Sequence, residues 1–444
     1  MPWIAESADE ISRPLLESLM HETAAEARRR ICARPKRVLL LPPDITRAHS
    51  GVGRLTEMLY QELSGEADVQ VIPTLGQHVP HTSDENRRMF GSIPNERIHS
   101  HDWRAGCVRV GEVSADFVKQ ACGGVADWPI PILLNQMLME ESWDLVINIG
   151  HVVPHEVLGF ANHNKNYFIG LGGKDTICAS HMLAATCGIE NNLGQLVTPT
   201  RACFNKAEDD FLGRLPDLYV QVVLARSAKG ELVHTGVFVG DDLETYLQAA
   251  RQSRDQNITV FDEPVQKMVC VMQADEFVST WVANKAIYRT RMALADGGEL
   301  VIIAPGLKRF GEQSEVDALI RKHGYCGTPN VLANYRTHAD MQDLAHATAH
   351  LIHGSSEGRF TITYAPGHLS AADIEGVKFR YADLAATLAR YEPERRQEGW
   401  HTLADGERFY FIPTPSAGLW AAREKLFGRN DKDVDQGEHR GHRE

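Results

Sequence analysis

Three short apolar segments, each followed at once by a loop of glycine, proline, histidine and aspartate, constrain the fold most strongly. They lie at 37–41, 68–73 and 144–150, and helix-like stretches such as 15–33 and 52–64 lie around them. Strand, loop and helix in alternation predict βαβ units and a largely parallel sheet. In such sheets ligands bind at the carboxyl ends of the strands, which is where these loops begin.

A second α/β region is predicted from about residue 265, and 444 residues are too many for one ordinary core. Its strands and helices are predicted at 268–272, 277–295, 299–304, 314–323, 360–365 and 407–413. We therefore expect two α/β domains with a ligand cleft between them. An N-terminal cofactor-binding and catalytic domain would span 1–264 and a C-terminal domain 265–404, with the segment 405–428 a candidate to rejoin the first. The charged segment 430–444 is predicted to be disordered.

The net charge and the cysteine pattern limit the classes of partner and the cellular compartment that we expect. The formal net charge of −13 argues against nucleic acid or an anionic membrane. The acidic start lacks the regions of a signal peptide, and no apolar run is long enough to cross a membrane. Eight cysteines are scattered without a Cys-x-x-Cys pair, which is typical of a reducing compartment, so a cytoplasmic protein is expected.

The loops after the first two segments hold candidate site residues. The first contains Asp44, Thr46 and Arg47. An arginine at a strand end can bind a carboxylate or phosphate through two hydrogen bonds, although a surface ion pair is the plainer interpretation. The second contains His78 and His81 just before a predicted helix start, where a histidine could act as acid or base or simply face solvent.

The third loop is the richest in chemistry. Between 150 and 181 it carries four histidines and two lysines, which could form a metal site or be structural. The spacing is not His-Glu-x-x-His, which argues against a zinc protease. The stretch Gly170-Leu-Gly-Gly could hold a phosphate through backbone N–H groups or be a plain turn.

Taken in order, these loops resemble the nickel-dependent lactate racemase family. The family's motifs appear as Asp44-Ile-Thr-Arg47, as Gly76-Gln-His78-Val-Pro80, as His155 followed by Gly159-Phe160 and Lys165, and as His181. The resemblance covers residues 44–181 well and is weaker beyond them. It is specific, because separate motifs agree in order and in local spacing.

The resemblance implies an enzyme that inverts C2 of a 2-hydroxy acid by hydride transfer to and from a nickel-pincer nucleotide, pyridinium-3,5-bisthiocarboxylic acid mononucleotide nickel. It implies His181 as the nickel ligand and Lys165 as the lysine that contacts the cofactor, covalently or not. His78 and His155 correspond to the two catalytic acid–base residues. Arg47 would bind the substrate carboxylate, and Asp44 would orient its neighbours. Cofactor-making proteins are the implied partners.

Departures from the family pattern bear on the substrate. Where the family has Tyr-Gln-x-x-Lys, this chain has Trp281-Val282-Ala-Asn-Lys285, so a polar contact is lost while Lys285 is kept as a substrate ligand. The usual Ser-Gly-Gly before the lysine reads 161–163 as Ala-Asn-His. Lactate itself is therefore not expected, and a larger or more polar 2-hydroxy acid is.

Two other interpretations stay open. A metal-dependent hydrolase or lyase would hold zinc between His78, His81 and His155. A non-catalytic carrier of the nickel cofactor would bind it without using the two candidate bases. The presence of both bases favours catalysis. His163 and His101 could contact substrate or cofactor, support the site from behind, or be structural.

Overall fold

The chain forms two compact units. The computed structural model describes residues 2–30, 36–140, 142–213, 215–227, 231–415 and 418–427. Unit 1 comprises Met1–Cys187 and Asn192–Asn257, and unit 2 comprises Gly188–Asn191 and Ile258–Glu444. The segment 430–444, expected to be disordered, lies outside the described residues.

Strands and helices alternate in unit 1. Its strands are β1 (Ile4–Ser7), β2 (Arg37–Leu41), β3 (Asp68–Val71), β4 (Cys107–Val113), β5 (Ile130–Asn135), β6 (Leu145–His151), β7 (Pro154–His155), β8 (Gly159–Phe160), β9 (Asp217–Arg226) and β10 (Leu232–Gly240). Its helices are α1 (Arg13–Arg30), α2 (Val52–Leu63), α3 (Ser83–Phe90), α4 (Ala115–Ala121), α5 (Gln136–Glu140), α6 (Lys174–Cys187), α7 (Pro199–Phe211) and α8 (Leu243–Asn257).

The described part of unit 1 is built on a six-stranded sheet of order β1-β10-β9-β6-β2-β3. The neighbours β3, β2, β6 and β9 are parallel, whereas β10 and β1 are added antiparallel. β4 with β5, and β7 with β8, form small antiparallel pairs outside this sheet. The parallel core confirms the βαβ arrangement expected from the sequence.

The apolar segments are strands because both faces of the sheet are covered. Val38 and Leu40 of β2 belong to one hydrophobic core, and Leu39 and Leu41 belong to the core on the opposite face. Every residue of β6 is buried. A strand that is buried on both faces appears in the sequence as a continuous apolar run, which is the pattern of parallel sheets in α/β proteins.

Unit 2 is a second α/β structure. Its strands are β11 (Ile258–Phe261), β12 (Val265–Val271), β13 (Leu294–Ala304), β14 (Thr361–Pro366), β15 (Arg380–Tyr381), β16 (Gly399–Thr402), β17 (Arg408–Ile412) and β18 (Leu419–Ala422). Its helices are α9 (Thr280–Ala283), α10 (Lys285–Thr290), α11 (Ser314–His323), α12 (Thr328–Thr337), α13 (Ala339–Asp343), α14 (Ala345–His353), α15 (Ala371–Gly376), α16 (Leu384–Tyr391) and α17 (Arg423–Phe427).

The sheet of the described part of unit 2 has the order β15-β14-β13-β12-β17-β16. All its neighbours are parallel except β16 and β17. β11 and β18 form a separate parallel pair. Within the described residues, no helix is long and apolar enough to cross a membrane.

The limits of the two units differ from the expected domain limits because strands far apart in the chain pair with each other. The division falls at 257/258 instead of 264/265, because β11 pairs with the late strand β18. The segment 405–428 does not rejoin the first domain, since β17 pairs with β12 inside unit 2. The helix expected over 277–295 is also wrong: it is divided into α9 and α10, and its last residues begin β13.

Candidate active site

Three loops meet at one edge of the unit 1 sheet. β2 lies between β3 and β6, and the three strands are parallel. The loops 42–51, 72–82 and 152–173 follow the carboxyl ends of these strands. Because parallel strands end at the same edge, the side chains of the three loops can converge there.

Asp44 organises the first loop. Its carboxylate caps the 3-10 turn Ile45–Ser50 by accepting hydrogen bonds from the Thr46 N–H at 3.2 Å and the Thr46 hydroxyl at 2.5 Å. It also accepts one from Nδ1 of His78. Burial works to raise the pKa of Asp44, but these hydrogen bonds and the charge of Lys165 outweigh it and hold the pKa below its ordinary value. Asp44 is therefore ionised at neutral pH.

His78 is the accessible base of the site. Its loop turns at Gly76, which has a φ of 57° and donates its N–H to the Gly170 carbonyl at 2.8 Å. The His78 side chain is 59% exposed, and its Nδ1 faces the Asp44 carboxylate. Since the proton of the neutral ring lies on Nδ1 in that pair, Nε2 keeps its lone pair for a substrate proton.

His81 belongs to the scaffold of the first two loops. Its Nε2 accepts the Ile45 N–H at 2.8 Å, and its Nδ1 lies 3.1 Å from Oδ1 of Asn86. Both ring nitrogens are thus used within the protein. Across the described ranges, no group of three or more His, Cys, Asp or Glu side chains is placed to hold a metal ion. The zinc site imagined between His78, His81 and His155 is not formed.

His155 is a neutral imidazole at pH 7. Burial lowers its pKa to about 3, and the charges of Lys165 and Arg47 act in the same direction while Glu156 opposes them. Its Nδ1 accepts the backbone N–H of Val157 at 3.2 Å. The ring proton therefore lies on Nε2, so His155 is a hydrogen-bond donor where His78 is an acceptor.

His181 lies within α6 and is prepared to bind a metal. Its Nδ1–H donates to the Ile177 carbonyl one turn earlier, at 2.7 Å. Burial, helped by Lys165, lowers the pKa of His181, so the ring is neutral. A neutral imidazole whose Nδ1–H is held by a carbonyl presents the lone pair of Nε2, which is the usual arrangement of a histidine metal ligand.

Lys165 and Arg47 supply positive charge. Burial, together with the charge of Arg47, lowers the pKa of Lys165 to about 8 against the opposing charges of Asp44 and Glu156. Burial also lowers the pKa of Arg47, with the same two carboxylates opposing it. Glu156 was not expected from the sequence, yet its charge acts on Arg47, His155, Lys165 and His181 alike.

Electrostatic interactions identify these side chains as neighbours. Asp44 interacts with Lys165, and Arg47 with His155. His155 and Lys165 each interact with His181. The residues that the sequence predicted in three separate loops of unit 1 therefore converge. Their chemical roles are taken up under Proposed function.

A buried amide network holds the loop that carries Lys165. Asn162 donates to the Gly150 carbonyl at 3.0 Å and to Oε1 of Gln221 at 2.7 Å. Asn166 donates to Oδ1 of Asn148 at 2.7 Å and to Oδ1 of Asn162 at 2.6 Å. Sequence reasoning missed these asparagines. The only sign of them in the sequence is the number of asparagines between 148 and 166. These asparagines matter because the segment is buried.

Asn162 and His163 stand where the resemblance expects glycines. Both have positive φ, 68° and 57°, in the left-handed region that glycine adopts without strain. His163 is buried with its ring 4.1 Å from that of Tyr219. It lines a cavity of about 690 Å³ with Leu145 and Asp217, at the amino ends of β6 and β9. That is the opposite end of the sheet from the loops, so His163 is not a substrate contact.

The Gly170-Leu-Gly-Gly stretch is a turn and not a phosphate cradle. The Leu171 N–H donates to the Asn166 carbonyl at 2.9 Å, and the Gly173 N–H to the Leu133 carbonyl at 2.9 Å. His101 supports this turn from behind, since it lies 3.1 Å from the Gly172 carbonyl. Its role is therefore structural.

Lys285 lies in unit 2, at the start of α10, with its Nζ 5.9 Å from the ring centre of Phe277. Trp281 packs against His350 with ring centres 4.5 Å apart, and Tyr325 and Tyr288 hold the His350 ring at 2.9 and 2.6 Å. Trp281, one of the departures from the family pattern, is thus part of a packed aromatic cluster.

Both units have an α/β fold, and three loops of unit 1 hold the candidate site residues. Residues 4–192 match the family described as lactate racemase N-terminal domain. This match agrees with the resemblance drawn from the three loops, which all lie within the matched residues.

Two solved structures share the fold. A structural genomics target from Thermotoga maritima has a TM-score of 0.75 at 21% identity, covering 94% of this chain and 100% of that one. The lactate racemase apoprotein from Thermoanaerobacterium thermosaccharolyticum has a TM-score of 0.68 at 15% identity, covering 94% of each chain. Among curated proteins, none matches significantly.

Proposed function

We propose that the protein is a nickel-dependent racemase or epimerase that inverts C2 of a 2-hydroxy acid other than lactate. The observation that carries this proposal is the pairing of two imidazoles of opposite character. His78 presents an acceptor backed by Asp44, and His155 presents a donor. A reaction that removes and returns a hydroxyl proton uses both functions.

The donor set fits the nickel-pincer nucleotide. His181 would bind the metal through Nε2, because its Nδ1–H is already held by the Ile177 carbonyl. Lys165, with a pKa of about 8, would contact the anionic part of the cofactor or form an amide-type bond with it. When bound, the cofactor would supply a hydride acceptor for C2 that returns the hydride to either face. Cofactor-making proteins would be needed as partners.

The protein's own residues would bind the substrate and move its proton. Arg47 would hold the carboxylate through two hydrogen bonds. His78 would accept the hydroxyl proton at Nε2, and the resulting imidazolium would be stabilised by the Asp44 carboxylate. His155 would donate a hydrogen bond from its Nε2–H to the C2 oxygen, and the proton held by the His78 imidazolium would return to that oxygen when the hydride returns to C2. To accept a proton from the opposite enantiomer, His155 must take the other tautomer and lose its 3.2 Å bond to Val157.

The proposal is tested by producing the protein together with cofactor-making proteins. We expect about one nickel per chain and optical inversion of a 2-hydroxy acid without deuterium at C2 in deuterium oxide. Replacing His181 by Gln should remove the nickel, whereas the matched control His99→Gln, in unit 1, should retain it. Protein without nickel, or rapid uptake of deuterium at C2, would refute the proposal.

Protein produced in the same way also distinguishes the racemase from the two alternative functions, a cofactor carrier and a zinc hydrolase. A cofactor carrier would keep its function in His78→Ala and His155→Ala, whereas a racemase would lose activity and retain nickel. A zinc hydrolase would be active without cofactor-making proteins. The use of both His81 nitrogens inside the scaffold speaks against that alternative.

A further inference from the structure

A buried histidine beside the candidate site has no use in the mechanism above. His151 is the last residue of β6 and is 8% exposed. Neither of its ring nitrogens has a hydrogen-bond partner among the residues that the structure describes. Buried polar groups without partners are unfavourable, so an imidazole in this state points to a partner supplied from outside the chain.

The surroundings of His151 are rich in nitrogen and poor in carboxylates. Arg47, His49 and His234 are the charged or titratable groups that act on it, and together with burial they lower its pKa. The His49 ring lies edge-on to it, with centres 6.4 Å apart. His234 bonds the backbone of Ser50, and its Nε2 has no partner in the described part of the chain.

We infer that His151, next to Arg47, forms an anion subsite for a second acidic group of the substrate. The substrate class would be a 2-hydroxy acid that carries a further carboxylate or phosphate. Arg47 would bind the C1 carboxylate, and the ring N–H of His151 would donate a hydrogen bond to the distal anion. The inference rests on the proposed function for the position of the C1 carboxylate.

His49 would control access to this subsite. It is exposed, and its ring lies edge-on to the buried ring of His151. Rotation of one exposed side chain costs little compared with a movement of the packed sheet. The arrangement explains how a buried ring could still meet a ligand.

The test is calorimetric titration of the full-length protein with three acids. 2-Hydroxybutanoate and 2-hydroxybutanedioate differ only in a terminal methyl or carboxylate, and 2-hydroxy-3-phosphopropanoate carries a phosphate. We expect at least one of the two dianions to bind at least about tenfold tighter than the monoanion, as hydrogen bonds to a charged group predict. The dianion that binds more tightly identifies the distal group.

Variants decide whether His151 causes that preference. His151→Phe should remove most of it while changing the affinity for 2-hydroxybutanoate less than about threefold. His401→Phe, a histidine of unit 2, should leave it intact. Should His151→Phe fail to fold, as judged by circular dichroism, His151→Leu, with a smaller side chain, is the second variant. Equal binding of mono- and dianions by the parent protein, or an unchanged preference in the folded variant, would overturn the inference.

The binding readout is independent of nickel and of turnover. Dianion binding that requires His151, in a protein that stays free of nickel even when produced with cofactor-making proteins, would support the subsite and refute the proposed function. Racemisation of monoanions without any preference would support the function and refute the subsite.

Discussion

At the scale of single residues, hydrogen bonds to the second ring nitrogen decide what each histidine can do. Asp44 holds Nδ1 of His78, Val157 holds Nδ1 of His155, and the Ile177 carbonyl holds Nδ1 of His181. The three rings are chemically identical in the sequence. Their partners leave a lone pair on Nε2 of His78 and of His181 and a proton on Nε2 of His155, because the bound nitrogen determines which nitrogen carries the proton.

The Asp44–His78 pair leads to a direct prediction. Asp44→Asn should lower kcat/KM by about 10²–10⁴-fold, because the amide no longer stabilises the imidazolium that forms on His78. Steady-state racemisation rates would measure the loss, and nickel content should not change. Asp68→Asn, which alters an exposed partner of Arg97, is the control. A variant as active as the parent protein would show that the pair is only structural.

At the scale of elements, the loop between β8 and α6 combines strain with buried hydrogen bonds. Asn162 has left-handed φ and donates to Gly150 and Gln221. Such a conformation costs about 1–2 kcal/mol for most residues with a side chain, and less for Asn, whose polar side chain can form local hydrogen bonds. The hydrogen bonds offset that cost and hold Lys165 in place.

Two substitutions separate strain from hydrogen bonding in this loop. Asn162→Gly loses the hydrogen bonds but keeps the backbone conformation, whereas Asn162→Ala loses both. We expect Ala to lower the free energy of unfolding by about 1 kcal/mol more than Gly does. Urea unfolding followed by circular dichroism would measure the difference. Equal values for the two variants would mean that the left-handed backbone is not what requires Asn here.

At the scale of the whole molecule, buried neutral histidines make stability depend on pH. Burial holds the pKa values of His151 and His163 well below their ordinary value, and lowers those of His155 and His350 to about 3. These groups are neutral when folded and would take up protons on unfolding below pH 6.5. Burial raises the pKa of Glu208 to about 7, so this carboxyl binds a proton when folded and releases it on unfolding. It therefore offsets one of the protons that the histidines take up.

We therefore expect stability to fall as pH drops from 6.5 to 5. In this window the unfolded chain binds more protons than the folded one, so the free energy of unfolding decreases with falling pH. The slope should exceed about 1.4 kcal/mol per pH unit, which corresponds to more than one proton. Urea unfolding at pH 7.5, 6.5 and 5.5 would measure it. A flat or rising profile would contradict the burial of these rings as neutral groups.

Local pattern was enough to predict most elements that hold the site. The strand 37–41 and the helix 314–323 have the predicted bounds, because their apolar periodicity is decided by neighbours in the chain. The helix expected over 277–295 was wrong, since the pairing of β13 with β12 and β14 outweighs local helical preference there. Domain limits failed for the same reason, as β11 pairs with a strand about 160 residues later.

The order of the three loops in the sequence pointed to the lactate racemase N-terminal domain, the parallel sheet and the candidate residues, because motif spacing and apolar runs are properties of neighbouring residues. Only the tertiary structure decided the roles of His81, His163 and His101, the electrostatic influence of Glu156 and the unpartnered state of His151. Burial and hydrogen-bond partners depend on residues far apart in the chain, and these set the proton position and the pKa of each ring.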